Sequence, residues 1–149
     1  ILVKEYGMKI MIFTDLDGCL LNHGDYSYAE AVPSLERIKG RRIPLIMTTS
    51  KTRREVEVLQ REMGLREPFI VENGGGIFFP DGYRDFTIAE GERQEGYILV
   101  RIGTTYPAVR RFMTLAGERF DMKGFGDMTP DEISALTGLS LAQAAMAAR

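Results

Sequence analysis

The chain contains one cysteine, Cys19, and one histidine, His23. A single cysteine excludes an internal disulfide framework and suits a reducing compartment, so a cytoplasmic location is expected. A single histidine argues against a His-rich metal site or a Ser-His-Asp triad. No apolar run approaches the ~20 residues that a membrane helix needs. The opening segment from Ile1 to Gly7 is too short and too charged for a signal peptide; Met8 reads as a natural start, with the seven residues before it a remnant. The net charge is only −2, which leaves no electrostatic footprint for nucleic acid. A hydrophobic content of 44% and a charged content of 27% place the 149 residues among soluble globular proteins, with one core or a small core plus a subdomain. The chemistry must then come from carboxylates, hydroxyls, lysines and backbone amides.

Two aspartates carry most of the signal. Asp15 and Asp17 sit one residue apart, directly after the apolar run Ile10-Met11-Ile12-Phe13. Side chains on a strand repeat every two residues, so both carboxylates can face the same way at its end. Like charges that close need a cation or a shared proton. This pattern points to a divalent-metal site that handles phosphate. In a cleavage reaction Asp15 is the candidate nucleophile and Asp17 the candidate acid and base, and the pair is the candidate ligand set for Mg²⁺, which prefers oxygen ligands and keeps several waters.

The surrounding chain alternates strand and helix. Strands are expected over residues 9–14, 43–48 and 69–71. Helices are expected from Pro33 to Lys39 and after Thr52, where Glu55 completes a capping box. Short loops between such elements imply a parallel sheet with right-handed crossovers. The second strand ends in Thr48-Thr49-Ser50-Lys51-Thr52 just before a helix, where hydroxyls and free amides suit an anion. Thr49 is the candidate phosphoryl contact, and open α/β sheets bind ligands at that edge. After Asn73-Gly74-Gly75-Gly76 the texture changes. Residues 77–79 and 86–88 flank Pro80-Asp81-Gly82-Tyr83, which predicts a hairpin. A strand over 97–102 and helices starting near Tyr106, Thr129 and Ser140 follow. A domain boundary is expected near residue 88.

The segment Asp15-Leu16-Asp17-Gly18-Cys19-Leu20-Leu21 resembles the first motif of the haloacid dehalogenase superfamily of phosphatases, with Cys19 where threonine is usual. Thr49 sits where that superfamily places its second-motif hydroxyl. Within it, Thr49-Ser50-Lys51-Thr52-Arg53, Glu72-Asn73-Gly74-Gly75-Gly76, Gly124-Phe125-Gly126-Asp127-Met128 and Leu136-Thr137-Gly138-Leu139 resemble the mannosyl-3-phosphoglycerate phosphatase family. The resemblance implies a Rossmann-like α/β core over residues 1–88 and part of an inserted α/β cap over 89–149. It implies Mg²⁺-dependent hydrolysis of a phosphorylated mannosyl-glycerate through an aspartyl-phosphate. It also implies that Lys51 neutralises charge near the phosphate or the glycerate carboxylate, and that Asn73 faces the substrate at the core–cap junction; Ser50, beside Thr49, is a further candidate phosphate contact. A sugar phosphatase of the sucrose type is the alternative enzyme reading.

Two superfamily motifs, a lysine and a later acidic pair, have no convincing counterpart. Gly126-Asp127 through Asp131, with Lys123 upstream, mimics the acidic motif. The charged Glu118–Lys123 before it does not suit a buried strand, and Thr129, Pro130 and Glu132 read as helix-start residues, so the segment is expected to be a decoy. The chain is therefore expected to be incomplete at its C-terminus. A non-catalytic alternative follows, in which it keeps a phosphate cradle without turnover. The oligomeric state is left open.

Overall fold

The computed structural model describes residues 10–85 and 87–148. The elements in chain order are β1 (Ile12–Thr14), α1 (Val32–Gly40), β2 (Leu45–Thr48), α2 (Arg53–Glu62), β3 (Phe69–Val71), β4 (Gly76–Pro80), β5 (Glu92–Gln94), β6 (Tyr97–Arg101), α3 (Tyr106–Gly117), α4 (Pro130–Thr137) and α5 (Leu141–Ala147). The start of the first expected strand, and Met8, lie outside the described residues.

The six strands form one sheet in the order β1-β2-β3-β4-β6-β5. β1, β2 and β3 pair in parallel, and this is the α/β architecture that the alternating pattern implies. β2 lies between two strands, so its Leu45-Ile46-Met47 run is buried on both faces. On one face Leu45 and Met47 meet Leu35 of α1 and Val56 of α2, together with Met63 just beyond α2. Phe69 of β3 is fully buried; its ring stacks on Phe78 at 5.3 Å and meets the edge of Tyr97 at 5.5 Å. That trio ties the parallel strands to β4 and β6. The Glu55 carboxylate accepts from both the amide and the hydroxyl of Thr52 at 2.8 Å, which holds the start of α2.

The predicted hairpin is corrected. β4 pairs antiparallel with β3 and with β6, not with Thr87 or Ile88. Thr87 and Ile88 are outside any strand, and Phe86 lies outside the described residues. The actual hairpin joins β5 to β6, with Glu95 (φ 47°) and Gly96 (φ 83°) at its turn. The boundary expected near residue 88 falls between β4 and β5, both strands of this one sheet. β1 is an edge strand, and its Phe13 is 60% exposed. No helix among the described residues is long and apolar enough to cross a membrane.

Candidate active site

Three parallel strands deliver three loops to one edge of the sheet. The first, after β1, folds on itself. Leu21 N donates to Leu16 O at 2.8 Å, and Gly18 N donates to Leu21 O at 2.9 Å. Gly18 has φ +73°, a conformation that favours glycine. Leu16 and Leu21 plug the core, and the alternation leaves Asp15 exposed and Asp17 half-buried. Asp15 Oδ1 accepts the amide of Leu16 at 2.7 Å; its second oxygen accepts no protein hydrogen bond among the described residues.

The second loop, after β2, is laced to the third. Thr49 is 3% exposed. Its amide donates to Ile70 O at 3.1 Å, and its carbonyl accepts from Asn73 N at 3.0 Å. Lys51 O accepts from Glu72 N at 3.1 Å. Thr49 Oγ1 accepts from Lys51 N at 3.2 Å, which curls the loop toward α2. Ser50, between them, is exposed. The third loop holds an unusual backbone: Glu72 (φ 52°), Asn73 (φ 54°) and Gly74 (φ 93°) are left-handed in succession. A non-glycine residue there costs about 1–2 kcal/mol, and the two bonds to Thr49 and Lys51 offset it. The turn leaves the Asn73 side chain exposed beside Thr49. Beyond the turn, Gly75 O accepts from both Ile102 N (3.0 Å) and Gly103 N (2.8 Å), a close backbone approach at which a Cβ on Gly103 would lie 3.1 Å from Gly75 Cα.

Lys51 links two of the loops. Its Nζ lies 2.9 Å from Asp17 Oδ1, and its side chain is only 13% exposed. Asp17 Oδ1 is buried and lacks an aligned hydrogen-bond donor, so the contact is a charge pairing rather than a directed bond. A carboxylate atom withdrawn from water requires an opposite charge. The ring of Tyr26, itself at φ 57°, lies 5.1 Å from the ammonium. Sequence reasoning missed Tyr26, because it stands in a polar loop with no periodicity to mark it. Of the candidate residues, Asp17 and Lys51 touch directly, and Thr49 and Asn73 meet through the backbone. Asp15 shares the edge but makes no hydrogen bond or ion pair with Thr49, Lys51 or Asn73.

The donors at this edge are hard oxygens, the carboxylates of Asp15 and Asp17 and nearby carbonyls. Asp15 has an oxygen facing solvent, which fits a Mg²⁺ ion that retains waters. Among the described residues no group of three or more His, Cys, Asp or Glu converges.

The Gly126–Asp131 segment is engaged in structure. Asp127 pairs with both terminal nitrogens of Arg110, one at 2.7 Å. Thr129 and Glu132 cap α4 reciprocally, at 2.7 and 3.2 Å, and Lys123 binds Glu132 at 2.7 Å. The Lys123 hydrogen bond, followed by those from Thr129, holds the Glu132 carboxyl down at about 2.

The haloacid dehalogenase-like hydrolase family matches residues 12–93, a span that runs from β1 into β5 and includes all three loops. A glucosyl-3-phosphoglycerate/mannosyl-3-phosphoglycerate phosphatase of Persephonella marina is 51% identical over 138 residues, covering 93% of this chain and 51% of the relative. A phosphatase of the same name from Methanococcoides burtonii is 40% identical over 142 residues, covering 94% and 52%. The chain thus spans about half the length of the curated relatives it matches. A crystal structure of a Thermoplasma acidophilum protein superposes with a TM-score of 0.56 at 19% identity, over 77% of this chain and 45% of that one, and so shares the fold.

Proposed function

Because the chain belongs to the haloacid dehalogenase-like hydrolase family, we propose that it is the phosphate-handling part of a phosphatase that cleaves a phosphorylated sugar derivative. The relatives' names make a glucosyl- or mannosyl-3-phosphoglycerate the first substrate to test, with a sucrose-type sugar phosphate as the alternative. Asp15 attacks phosphorus, the ester P–O bond breaks, and Asp17 gives its proton to the departing oxygen. Asp17 then takes a proton from water, whose oxygen attacks phosphorus; the Asp15–phosphorus bond breaks and inorganic phosphate leaves. Thr49, Ser50 and Lys51 hold the phosphoryl oxygens, and Asn73 faces the rest of the substrate. A Mg²⁺ bound at Asp15 and Asp17 would offset the charge of carboxylate and phosphate. Residues 1–88 then form the core and 89–149 part of a cap.

One observation carries this reading: the Asp15–Asp17 loop, the Thr49–Lys51 loop and Asn73 share one sheet edge, and Lys51 pairs directly with Asp17. The test is phosphate release by the native protein with Mg²⁺. Asp15→Asn should abolish it, and Asp17→Asn should lower it by about 10²–10⁴, the usual worth of a positioned acid–base. Full turnover by Asp15→Asn would contradict the assignment. A second reading, a phosphate cradle without turnover, is favoured by the edge of β1 beside the pair, which has no partner strand among the described residues and leaves Phe13 exposed. Phosphate binding without release of product would select it.

A further inference from the structure

A cavity of about 480 Å³ opens at the other edge of the sheet, between the loop before β2 and the loop before β3. Its size is within the ~300–1,000 Å³ usual for small-molecule sites. The aspartate, threonine–lysine and asparagine loops follow β1, β2 and β3, so this cavity lies at the opposite ends of the same strands. β2 alone, four residues long, puts about 13 Å of strand between the two edges at ~3.3 Å per residue. Ile38, Ile43 and Leu65 give the cavity an apolar floor. Around it stand four cations, Lys39, Arg42, Arg66 and Arg84, against one carboxylate, Glu67. In a chain whose net charge is −2, that local excess is a positive site.

The lone carboxylate does not offset these cations. Glu67 is already matched, because Arg84 binds it at 3.2 Å and the Tyr83 hydroxyl donates to it. Lys39 pairs with Glu36 at 2.7 Å. Arg42 and Arg66 have no ion-pair partner among the described residues. Arg66 gives one nitrogen to Asp81 O at 3.5 Å and keeps its other donors. The backbone at Arg42 adds an independent observation. α1 and α2 end in the same turn: Ile43 N donates to Ile38 O at 3.1 Å, and Leu65 N donates to Gln60 O at 2.7 Å. The left-handed position of that turn is Gly64 (φ 64°) after α2 but Arg42 (φ 54°) after α1. Glycine adopts this conformation freely and arginine does not. The two turns face each other, since a Cβ on Gly64 would lie 3.7 Å from Lys39 Nζ. An arginine held there against its backbone preference lines the cavity.

We propose that this cavity is a second ligand site, which takes a nucleoside phosphate: Arg42 and Arg66 hold the phosphates, and the base lies on Ile38, Ile43 and Leu65. Guanidinium forks match phosphate oxygens in pairs, and two unpartnered guanidiniums suit a ligand with more than one negative charge. The apolar floor suits a flat body rather than a bare anion, and guanidinium planes also stack on rings, as Arg84 does on Tyr83 at 5.2 Å. The site is separate from the aspartate edge and does not rest on the phosphatase reading.

The test titrates the native protein with ADP, pyrophosphate and adenosine, with calorimetry for affinity and NMR for location. ADP should bind more tightly than either of its parts. It should shift the methyl resonances of Ile38, Ile43 and Leu65. Arg42→Gln and Arg66→Gln should each weaken ADP about fivefold, at the low end for a charge-assisted hydrogen bond because both side chains are exposed. Glutamine is no easier than arginine in the left-handed turn, so Arg42→Gln changes the charge and leaves the backbone demand in place. No saturable binding of ADP overturns the proposal. So does pyrophosphate binding as tightly as ADP, an ADP affinity unchanged in both variants, or shifts confined to the Thr49 and Asn73 loops.

Discussion

Lys51 and Asp17 show what a single residue contributes at this edge. Asp17 Oδ1 is buried, and the Lys51 ammonium at 2.9 Å is its charge partner, with Tyr26 against that ammonium. The Asp17 side chain is still about a third exposed, so water screens part of the attraction. The pair should be worth about 1 kcal/mol, above an exposed pair and well below a buried one. A double-mutant cycle with Lys51→Met and Asp17→Asn, read by denaturant unfolding, checks this coupling. Glu132 supplies a pH prediction. Its folded-state carboxyl is depressed to about 2 by Lys123 and Thr129. A depressed acid contributes stability that is present above its unfolded value and is lost as pH falls through the folded one. The start of α4 should therefore loosen only as pH drops from the ordinary glutamate range toward about 2. In Lys123→Met, NMR titration should find Glu132 protonating at higher pH.

At the scale of elements, local signals were the legible ones. α2 starts where Thr52 and Glu55 mark it, and α4 starts at the Thr129-Pro130-Glu132 signature. Thr129→Ala removes the N-cap oxygen and should cost about 1 kcal/mol. Hydrogen exchange should report this as about fivefold faster exchange of the α4 amides. The β4 hairpin failed for the opposite reason. Pro80-Asp81-Gly82 marks a real turn, but β4's second partner is β6, beyond β5, and no local pattern records which distant strand fills an edge. The left-handed Glu72–Gly74 turn was hidden for the same reason, because its backbone is held by bonds to Thr49 and Lys51 from another loop. Asp15, Asp17 and Thr49 could be read as candidates because they follow apolar runs. Tyr26, which lies against the Lys51 ammonium, could not, because it stands in a polar loop that only the fold brings to this edge.

For the molecule as a whole, one apolar cluster joins the parallel strands to the antiparallel ones, and Phe69 lies at its centre with Phe78 and Tyr97. Phe69→Ala should destabilise the fold by about 3–5 kcal/mol, read as a lower denaturant midpoint, because it empties that junction. The same sheet carries the candidate site, since its first three strands deliver the aspartate, threonine–lysine and asparagine loops to one edge. The central claim is that Asp15 at this edge is the nucleophile. The most direct measurement is mass spectrometry of the Asp15 peptide after acid quench of the native protein incubated with a glycosyl-3-phosphoglycerate and Mg²⁺. A phosphoryl adduct on Asp15, absent from Asp15→Asn, is the predicted result. Turnover with no adduct on Asp15, together with activity retained in Asp15→Asn, would contradict it.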